Sequence, residues 1–139
     1  MNKTEYLQKF NFTGKQVKGY LQNAFKDLEI AKNDSIPEVK FTYSYTALLK
    51  GGIALIAGVK KSKVASMPGH HIEILQVTSR ILEDKMVFTV GNAMRMKRNT
   101  DLYQGGIVIT EIESKDYCKF VEDTLGKIKE ALKAEDGRP

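Results

Sequence analysis

Residues 41–59 read FTYSYTALLKGGIALIAGV, and this stretch decides the fold. The alternating aromatic residues at its start are compatible with a strand, but the length of the run and its alanine and leucine content favour a helix. The pair Gly51-Gly52 costs a helix about 1 kcal/mol per glycine relative to alanine, so it predicts a kink or a close crossing with another helix. The apolar positions recur three and four residues apart, as one buried helix face requires: Phe41, Tyr45, Leu48, Leu49, Gly52, Leu55, Ile56 and Val59.

The same helical spacing continues on both sides of this segment. Thr13 and Gln16 form a capping-box signature before a helix over 14–33, and Ser35-Ile36-Pro37-Glu38 repeats the signature before the second helix. Three more helices are predicted: one from near 66–68 to 84, one over about 86–101 that Gly105-Gly106 ends, and one from 111 or 115 to 133. Residues 107–109 are predicted to be an extended connector, and residues 134–139 a disordered tail.

This succession predicts an all-α fold, an up-and-down four-helix bundle with a short extra segment. The chain has 139 residues, which is room for one domain over 1–139 with a core of about 14–133. Its 22 Lys and Arg outnumber its 17 Asp and Glu, and the net charge of +5 permits a polyanionic partner. Apolar runs stay well below the ~18 residues of a membrane span, and no secretory signal is visible. The single cysteine, Cys118, cannot form an internal disulfide, which is typical of a reducing compartment. From these three observations together we expect a cytoplasmic protein that does not enter a membrane.

Metal and cofactor chemistry find little support in the sequence. His70 and His71 are adjacent, so on a helix they point about 100° apart and do not easily share one ion. We interpret them as a partly exposed helix start, and Cys118 as a small buried hydrophobic residue. Neither glycine pair extends into a phosphate-binding Gly-x-x-x-x-Gly-Lys loop. We therefore expect no metal and no cofactor.

The segment MRMKRNTDLYQG, residues 94–105, differs from the other helical segments. Polar and charged side chains crowd the end of this helix, where a purely structural bundle helix would carry an apolar residue at every third or fourth position. Arg95, Arg98 and Asp101 share one helix face because they are three residues apart. Two interpretations stay open: a surface ion pair worth ~0.3–0.5 kcal/mol that tethers the helix end, or a ligand-binding cluster.

At this point the chain resembles the HEPN superfamily. The resemblance rests on three elements in order: the aromatic-rich second helix from Phe41 to Leu49, Gly69-His70-His71 at the start of the third, and Arg98-Asn99 followed by Tyr103. Their order and spacing cover roughly residues 14–133. The resemblance implies a four-helix bundle that forms a homodimer. It also implies a role as a metal-independent ribonuclease of a toxin–antitoxin or defence module, or as the partner of a nucleotidyltransferase.

The ribonuclease motif of that superfamily is an arginine followed, after four to six residues, by a histidine. Arg98 matches the arginine, Asn99 matches a polar position after it, and Tyr103 stands where the histidine would be. This departure matters because tyrosine, with a reference pKa near 10, is a poor general base. The resemblance implies that Arg98 stabilises a phosphorane while Tyr103 orients a 2′-hydroxyl or donates a proton. His70 or His71 is the alternative proton carrier, although the sequence does not place either near Arg98.

The resemblance also implies binding roles for the neighbouring residues. Arg95 and Lys97 would hold the phosphate backbone, and Asn99 and Asp101 would belong to a ligand-holding network. The preferred function is the binding of RNA or a nucleotide. The alternatives are a metal-independent ribonuclease that uses Arg98 and Tyr103, and a non-catalytic dimeric adaptor bundle. The expected partners are a nucleotidyltransferase or an antitoxin protein, and a second copy of the chain.

Overall fold

The computed structural model describes residues 6–106 and 108–136, except for the side chains of residues 101–104. These residues form an all-α helical bundle with a small two-stranded sheet, which confirms the predicted fold class. The elements follow in the order β1 (Leu7–Lys9), α1 (Gly14–Asn33), α2 (Pro37–Val59), β2 (Ser62–Val64), α3 (His70–Leu82), α4 (Lys85–Gln104) and α5 (Glu111–Asp136).

Helix α2 lies at the centre of the bundle and packs against each of the other four helices. Its apolar residues are buried on several faces rather than on a single stripe. Phe41, Leu48, Leu55 and Ile56 are at most 1% exposed. Burial of a side chain of this size contributes ~1.5–3 kcal/mol, so the segment that predicts the fold is also a main source of its stability.

The glycine pair in α2 allows two neighbouring helices to approach closely. A Cβ atom on Gly52 would lie 2.6 Å from Thr78 Oγ1 and 2.7 Å from Ile74 Cγ2, both on α3. Gly51 faces Leu125 on α5 in the same way. The predicted close crossing is confirmed. Because both glycines are used within the chain, the pair gives no support to the expected dimer.

The two predicted capping boxes have different outcomes. At α1 the Gln16 amide donates to Thr13 Oγ1 at 3.1 Å and the Thr13 amide donates to Gln16 Oε1 at 2.9 Å, so this box is confirmed. The box at Ser35 is wrong, because α2 begins after Ile36 without a side-chain cap from the described residues. The Ile36 amide donates instead to Asp34 Oδ1 at 2.8 Å, which turns the chain directly into Pro37.

The segment between the second and third helices is polar and rich in lysine, which is typical of a connector, but the structure places strand β2 within it. Strands β1 and β2 pair in antiparallel fashion, with Leu7 opposite Val64 and Lys9 opposite Ser62. Each strand has only three residues and its partner is distant in the sequence, so no local pattern indicates the pairing. This sheet ties the amino-terminal segment to the chain that leads into α3.

Contacts from Tyr6 fix the start of α3. The Ala65 amide donates to the Tyr6 carbonyl at 2.7 Å, and the Tyr6 hydroxyl donates to the Pro68 carbonyl at 3.0 Å. Gly69 follows with φ +85°, a conformation that favours glycine, and α3 then begins at His70. The helix therefore begins slightly later than predicted, and the two histidines occupy its first turn.

The last two helices follow the predicted course with longer ends. Helix α4 ends at Gly105, whose φ is +77°, as the glycine pair predicts. Residues 108–110 have no regular structure, and Ile107 lies outside the described residues. Helix α5 continues through Asp136, so residues 134–136 of the expected tail are helical, while 137–139 lie outside the described residues. Within the described ranges, every helix is too short or too polar to cross a membrane.

Candidate functional site

A cleft of about 310 Å³ opens where the start of α3 meets α4. The turn before α3 forms one wall with residues 66–69, and the first turn of α3 adds His70, His71 and Ile72. Helix α4 supplies Arg95 and Asn99 to the same space. Two imidazoles, a guanidinium and an amide from different parts of the sequence therefore face one cleft.

The ring of His70 is held by the turn before α3. Its Nδ1 lies 2.7 Å from the carbonyl oxygen of Met67. Because a carbonyl oxygen only accepts hydrogen bonds, Nδ1 must carry the hydrogen in this contact. This contact holds the ring of His70 against the turn that precedes α3.

The ring of His71 is held by a tyrosine of the central helix. Its Nδ1 lies 3.1 Å from the hydroxyl oxygen of Tyr45, whose side chain is only 3% exposed. The rings of His70 and His71 are also in contact, with centroids 4.4 Å apart and an edge-on arrangement. Tyr45 and His70 thus contact the His71 ring from two different helices.

Burial and nearby charges set the protonation states of this group. Burial raises the pKa of Tyr45 to about 12, against the opposing positive charges of Arg95 and Arg98, so its hydroxyl stays protonated at neutral pH. Burial also lowers the pKa of His71 below its usual value, and the charges of His70, Arg95 and Arg98 lower that pKa further. His71 is therefore a neutral imidazole at neutral pH.

Two arginines of α4 border this group. Arg95 lines the cleft, and its Nε donates to the Asn92 side-chain oxygen one turn earlier at 2.9 Å, which holds the guanidinium along the helix. Arg98 is half-buried, and its charge acts on both Tyr45 and His71. The first N–H groups of a helix lack intrahelical acceptors, and no described side chain caps those of α3. These N–H groups add hydrogen-bond donors at the start of α3.

The structure separates the predicted site residues into three groups. Arg95 and Asn99 line the cleft, and Arg98 lies close enough to influence its histidine. Lys97 turns towards the connector and the start of α5: its Nζ donates to the Val108 carbonyl at 3.0 Å and lies 3.7 Å from a Glu113 carboxylate oxygen. The side chains of Asp101 and Tyr103 lie outside the described residues, although both positions belong to α4.

The sequence predicts a partly exposed helix start at the two histidines, and the family resemblance gives either of them as an alternative proton carrier. The sequence does not place them beside α4, because that contact depends on how α2, α3 and α4 cross. The sequence places Tyr45 on the buried face and in the aromatic stretch of the second helix, with no indication that it contacts a histidine. The adjacent histidines after Gly69 and the aromatic run are the signals that, taken together, point to this cleft.

A second and larger opening is lined by other helices. This groove of about 470 Å³ runs between α1, α5 and the end of α2. Its floor is apolar, with Val17, Leu21, Phe25 and Leu132, and its edge carries four lysines and two acidic side chains. Among the residues that the structure describes, the groove brings together no imidazole or arginine, so it is a poorer candidate for directed recognition of a polar ligand.

Two other kinds of site find no geometric support in the described part of the chain. No three His, Cys, Asp or Glu side chains come together there as metal ligands would. Cys118 is buried in the core, as predicted, and is 6% exposed.

The comparisons with known proteins add no relative to this geometry. Neither a protein-family model, nor a curated protein, nor a solved structure matches the chain. The site must therefore be interpreted from its own residues.

Proposed function

We propose that this protein is a HEPN-like protein that binds RNA or a nucleotide through the cleft between α3 and α4. The observation that carries the proposal is the convergence of His70, His71, Arg95 and Asn99 on one space. A guanidinium presents paired N–H donors that match two oxygens of a phosphate group. The imidazoles of His70 and His71, held by Met67 and Tyr45, and the amide of Asn99 add further polar groups.

The dimensions of the cleft suit a ligand of this class. A volume of about 310 Å³ falls at the small end of ligand sites, which run from about 300 to 1,000 Å³. One nucleotide unit is a ligand of this scale, and a longer strand would leave the cleft across the surface. The net charge of +5 favours the approach of a polyanion in either case.

The proposal is tested by removing one charge at the cleft and one charge away from it. Labelled single-stranded RNA and a labelled nucleotide are titrated with the wild type, with Arg95→Ala and with Lys129→Ala, and fluorescence anisotropy reports binding. Arg95→Ala should weaken binding by about tenfold or more, since a hydrogen-bonded charged contact contributes ~1.5–3 kcal/mol. Lys129→Ala removes the same charge from the edge of the apolar groove and should change binding only slightly.

An equal loss in the two variants would assign binding to general charge attraction and not to the cleft. Absence of binding by the folded wild type to both ligands would overturn the proposal. In that case the adaptor function would become the better interpretation, with Arg95 and Arg98 serving only to hold the helix end.

The proposed function includes a homodimer with an antitoxin or nucleotidyltransferase partner, as the resemblance implies. Exposed apolar side chains lie around the end of α4, where Met96 is 57% exposed, Val108 is 79% exposed and Ile112 is 73% exposed. Coverage of these side chains by a second copy would bring two basic helix ends together. Light scattering across the micromolar range checks this, and a monomer throughout would restrict the site to one chain.

A further inference from the structure

We propose that the groove between α1, α5 and the end of α2 binds a medium-chain fatty acid, whose acyl chain lies on the apolar floor and whose carboxylate meets Lys129. The inference does not rest on the proposed function, because the groove and the cleft beside α3 share no lining residue among those that the structure describes. It assigns a ligand class to the larger of these two openings, for which the proposed function has no role.

The floor of the groove is a continuous apolar strip along α1. Val17, Leu21 and Phe25 are spaced four residues apart, so they share one helix face, and the rest of the chain leaves each of them half-buried. Leu132 on α5 completes the strip. Apolar surface that is continuous and concave, unlike single exposed side chains, is typical of a ligand site. From Val17 to Phe25 the helix rises about 12 Å, which suits an extended medium-chain acyl group.

The shape of the groove also suits a small ligand with an apolar chain. A Cβ atom on Gly58 would lie 2.5 Å from Leu132 Cδ2 and 3.3 Å from Val17 Cγ1, so the glycine lets these two side chains close the floor over the end of α2. Phe12 forms an apolar wall before the start of α1, and its ring packs edge-on against Tyr20 with centroids 5.4 Å apart. The volume of about 470 Å³ lies within the range of small-molecule sites, about 300–1,000 Å³.

The orientation of the ligand follows from the directions of α1 and α5. Lys32 Nζ lies 2.6 Å from a Glu122 carboxylate oxygen, and Lys129 Nζ lies 6.0 Å from the centroid of the Phe25 ring. Positions that decrease along α1 therefore face positions that increase along α5, so the two helices are antiparallel. The last turn of α5, which carries both acidic lining residues, lies beside the start of α1.

The two ends of the groove therefore differ in charge. Glu135 and Asp136 repel a carboxylate at the start of α1. At the Phe25 end, the polar lining groups of the described residues are the ammonium of Lys129 and the amide of Gln22. Both groups carry N–H donors that a carboxylate accepts. The acid end of the ligand is expected here, and the end of the acyl chain towards Phe12.

Lys129 is also the more available lysine of its helix. Lys133, one turn later, lies 3.7 Å from a Glu130 carboxylate oxygen, and Lys61 Nζ donates to the Gly58 carbonyl at 2.7 Å. Among the described residues Lys129 has no carboxylate partner, and its ammonium lies over an apolar ring. A bound carboxylate would supply that partner without breaking an ion pair.

The test is isothermal titration calorimetry of the full chain with three matched probes: decanoate, octanoate and decyltrimethylammonium, each below its micelle concentration. Decanoate should bind at one molecule per chain. Octanoate should bind about tenfold more weakly, since two fewer methylenes enter the groove. Decyltrimethylammonium has the same chain with the opposite charge and should bind at least about fivefold more weakly than decanoate.

Four variants separate the parts of the site. Lys129→Ala should weaken decanoate binding by about fivefold, the upper scale for an exposed charge pair. Leu21→Gln places an amide in the apolar floor and should weaken it by about tenfold or more. Lys18→Ala removes the same charge near the start of α1 and should change binding by less than about twofold. Arg95→Ala alters only the cleft beside α3 and should bind decanoate as the wild type does.

Amide chemical shifts of the wild type locate the ligand even if Leu21→Gln does not fold. Decanoate should shift the amides around Leu21 and Phe25 and those of the facing turns of α5. Shifts centred on the exposed apolar side chains of Met96 and Val108 would mean adsorption elsewhere and would overturn the proposal.

The remaining outcomes also decide the proposal. Absence of decanoate binding by the folded wild type would overturn it, and so would equally tight binding of decyltrimethylammonium, because the lysines would then have no role. Loss of binding in Lys18→Ala but not in Lys129→Ala would overturn the orientation. If an amphipathic peptide with acidic flanks bound the groove and decanoate did not, the ligand class would be wrong. RNA binding at the cleft is measured separately, so each of these results leaves the proposed function standing.

Discussion

Helices α2 and α4 are nearly equal in length but differ in how far packing explains their residues. In α2, 14 of the 23 residues are buried, from Lys40 to Gly58. In α4, Met94 is the last buried residue before the undescribed side chains, and exposed or half-buried polar groups follow it. Packing accounts for the sequence of α2 almost throughout. It accounts less well for Arg95 and Asn99, which line the cleft beside the start of α3.

The prediction with the largest expected effect tests whether packing explains the sequence of α2. In Gly52→Ala the new methyl group would meet side-chain atoms of Thr78 and Ile74 at 2.6 and 2.7 Å, so these side chains or α3 itself must shift. We expect the free energy of unfolding to fall by about 1–3 kcal/mol, the usual cost of overpacking. Urea denaturation measures the change.

Gly19→Ala is the matched control for this prediction. Gly19 lies in α1, and a Cβ atom there has no neighbour within 4 Å among the described residues. The same substitution should therefore raise stability by up to about 1 kcal/mol, through helix propensity alone. If both variants changed stability in the same direction, the close crossing of α2 and α3 would not be what requires Gly52.

The next prediction tests whether Arg98 on α4 serves binding or stability. Arg98→Ala should change the free energy of unfolding by no more than about 1 kcal/mol, because polar contacts at partly exposed positions contribute little to stability. The same variant should weaken RNA binding by about tenfold, since the Arg98 charge reaches the group around His71. Thermal melts and anisotropy titrations check the two effects.

Lys85→Ala is the control for Arg98→Ala. Lys85 begins the same helix, is exposed and lies at the opposite end from the cleft, so its loss should alter neither property. A fall of several kcal/mol in Arg98→Ala with RNA binding intact would assign the arginine to structure. Packing would then explain the end of α4 as it explains α2.

The sequence predicts well what depends on neighbours along the chain. The helical spacing around Phe41, the Thr13 cap and the end of α4 at Gly105 are all local patterns, and each is present. The strand pairing of Leu7 with Val64 is not local, and three residues per strand leave no periodic signal.

The same difference between local and non-local features applies to the candidate site. The polar run after Met94 is visible in the sequence because it interrupts the apolar spacing of a single helix. Its meeting with His71 is not visible, since Tyr45, His71 and Arg95 come from three helices whose crossing the sequence does not specify. Tyr6 and Gly69, which set the first turn of α3, carry no sign of that task in the sequence.

The smallest expected effect concerns His71, where α2, α3 and α4 meet. Its pKa is lowered in the folded protein, chiefly by burial, so the unfolded chain binds more protons as the pH falls through the usual imidazole range. Stability from this group should be fully present above that range and should decrease as the pH falls to the lowered pKa. Below that pKa both states are protonated and the contribution stays constant.

His71→Gln, which does not titrate, should therefore show a smaller loss of unfolding free energy between neutral and mildly acidic pH than the wild type. Urea denaturation of both proteins over this interval measures the difference, and titrations of the other groups cancel in the comparison. Parallel curves would mean that His71 has the same proton affinity in both states. This result would contradict the lowered pKa of His71. The electrostatic difference between the packed α2 and the polar end of α4 would then have no support.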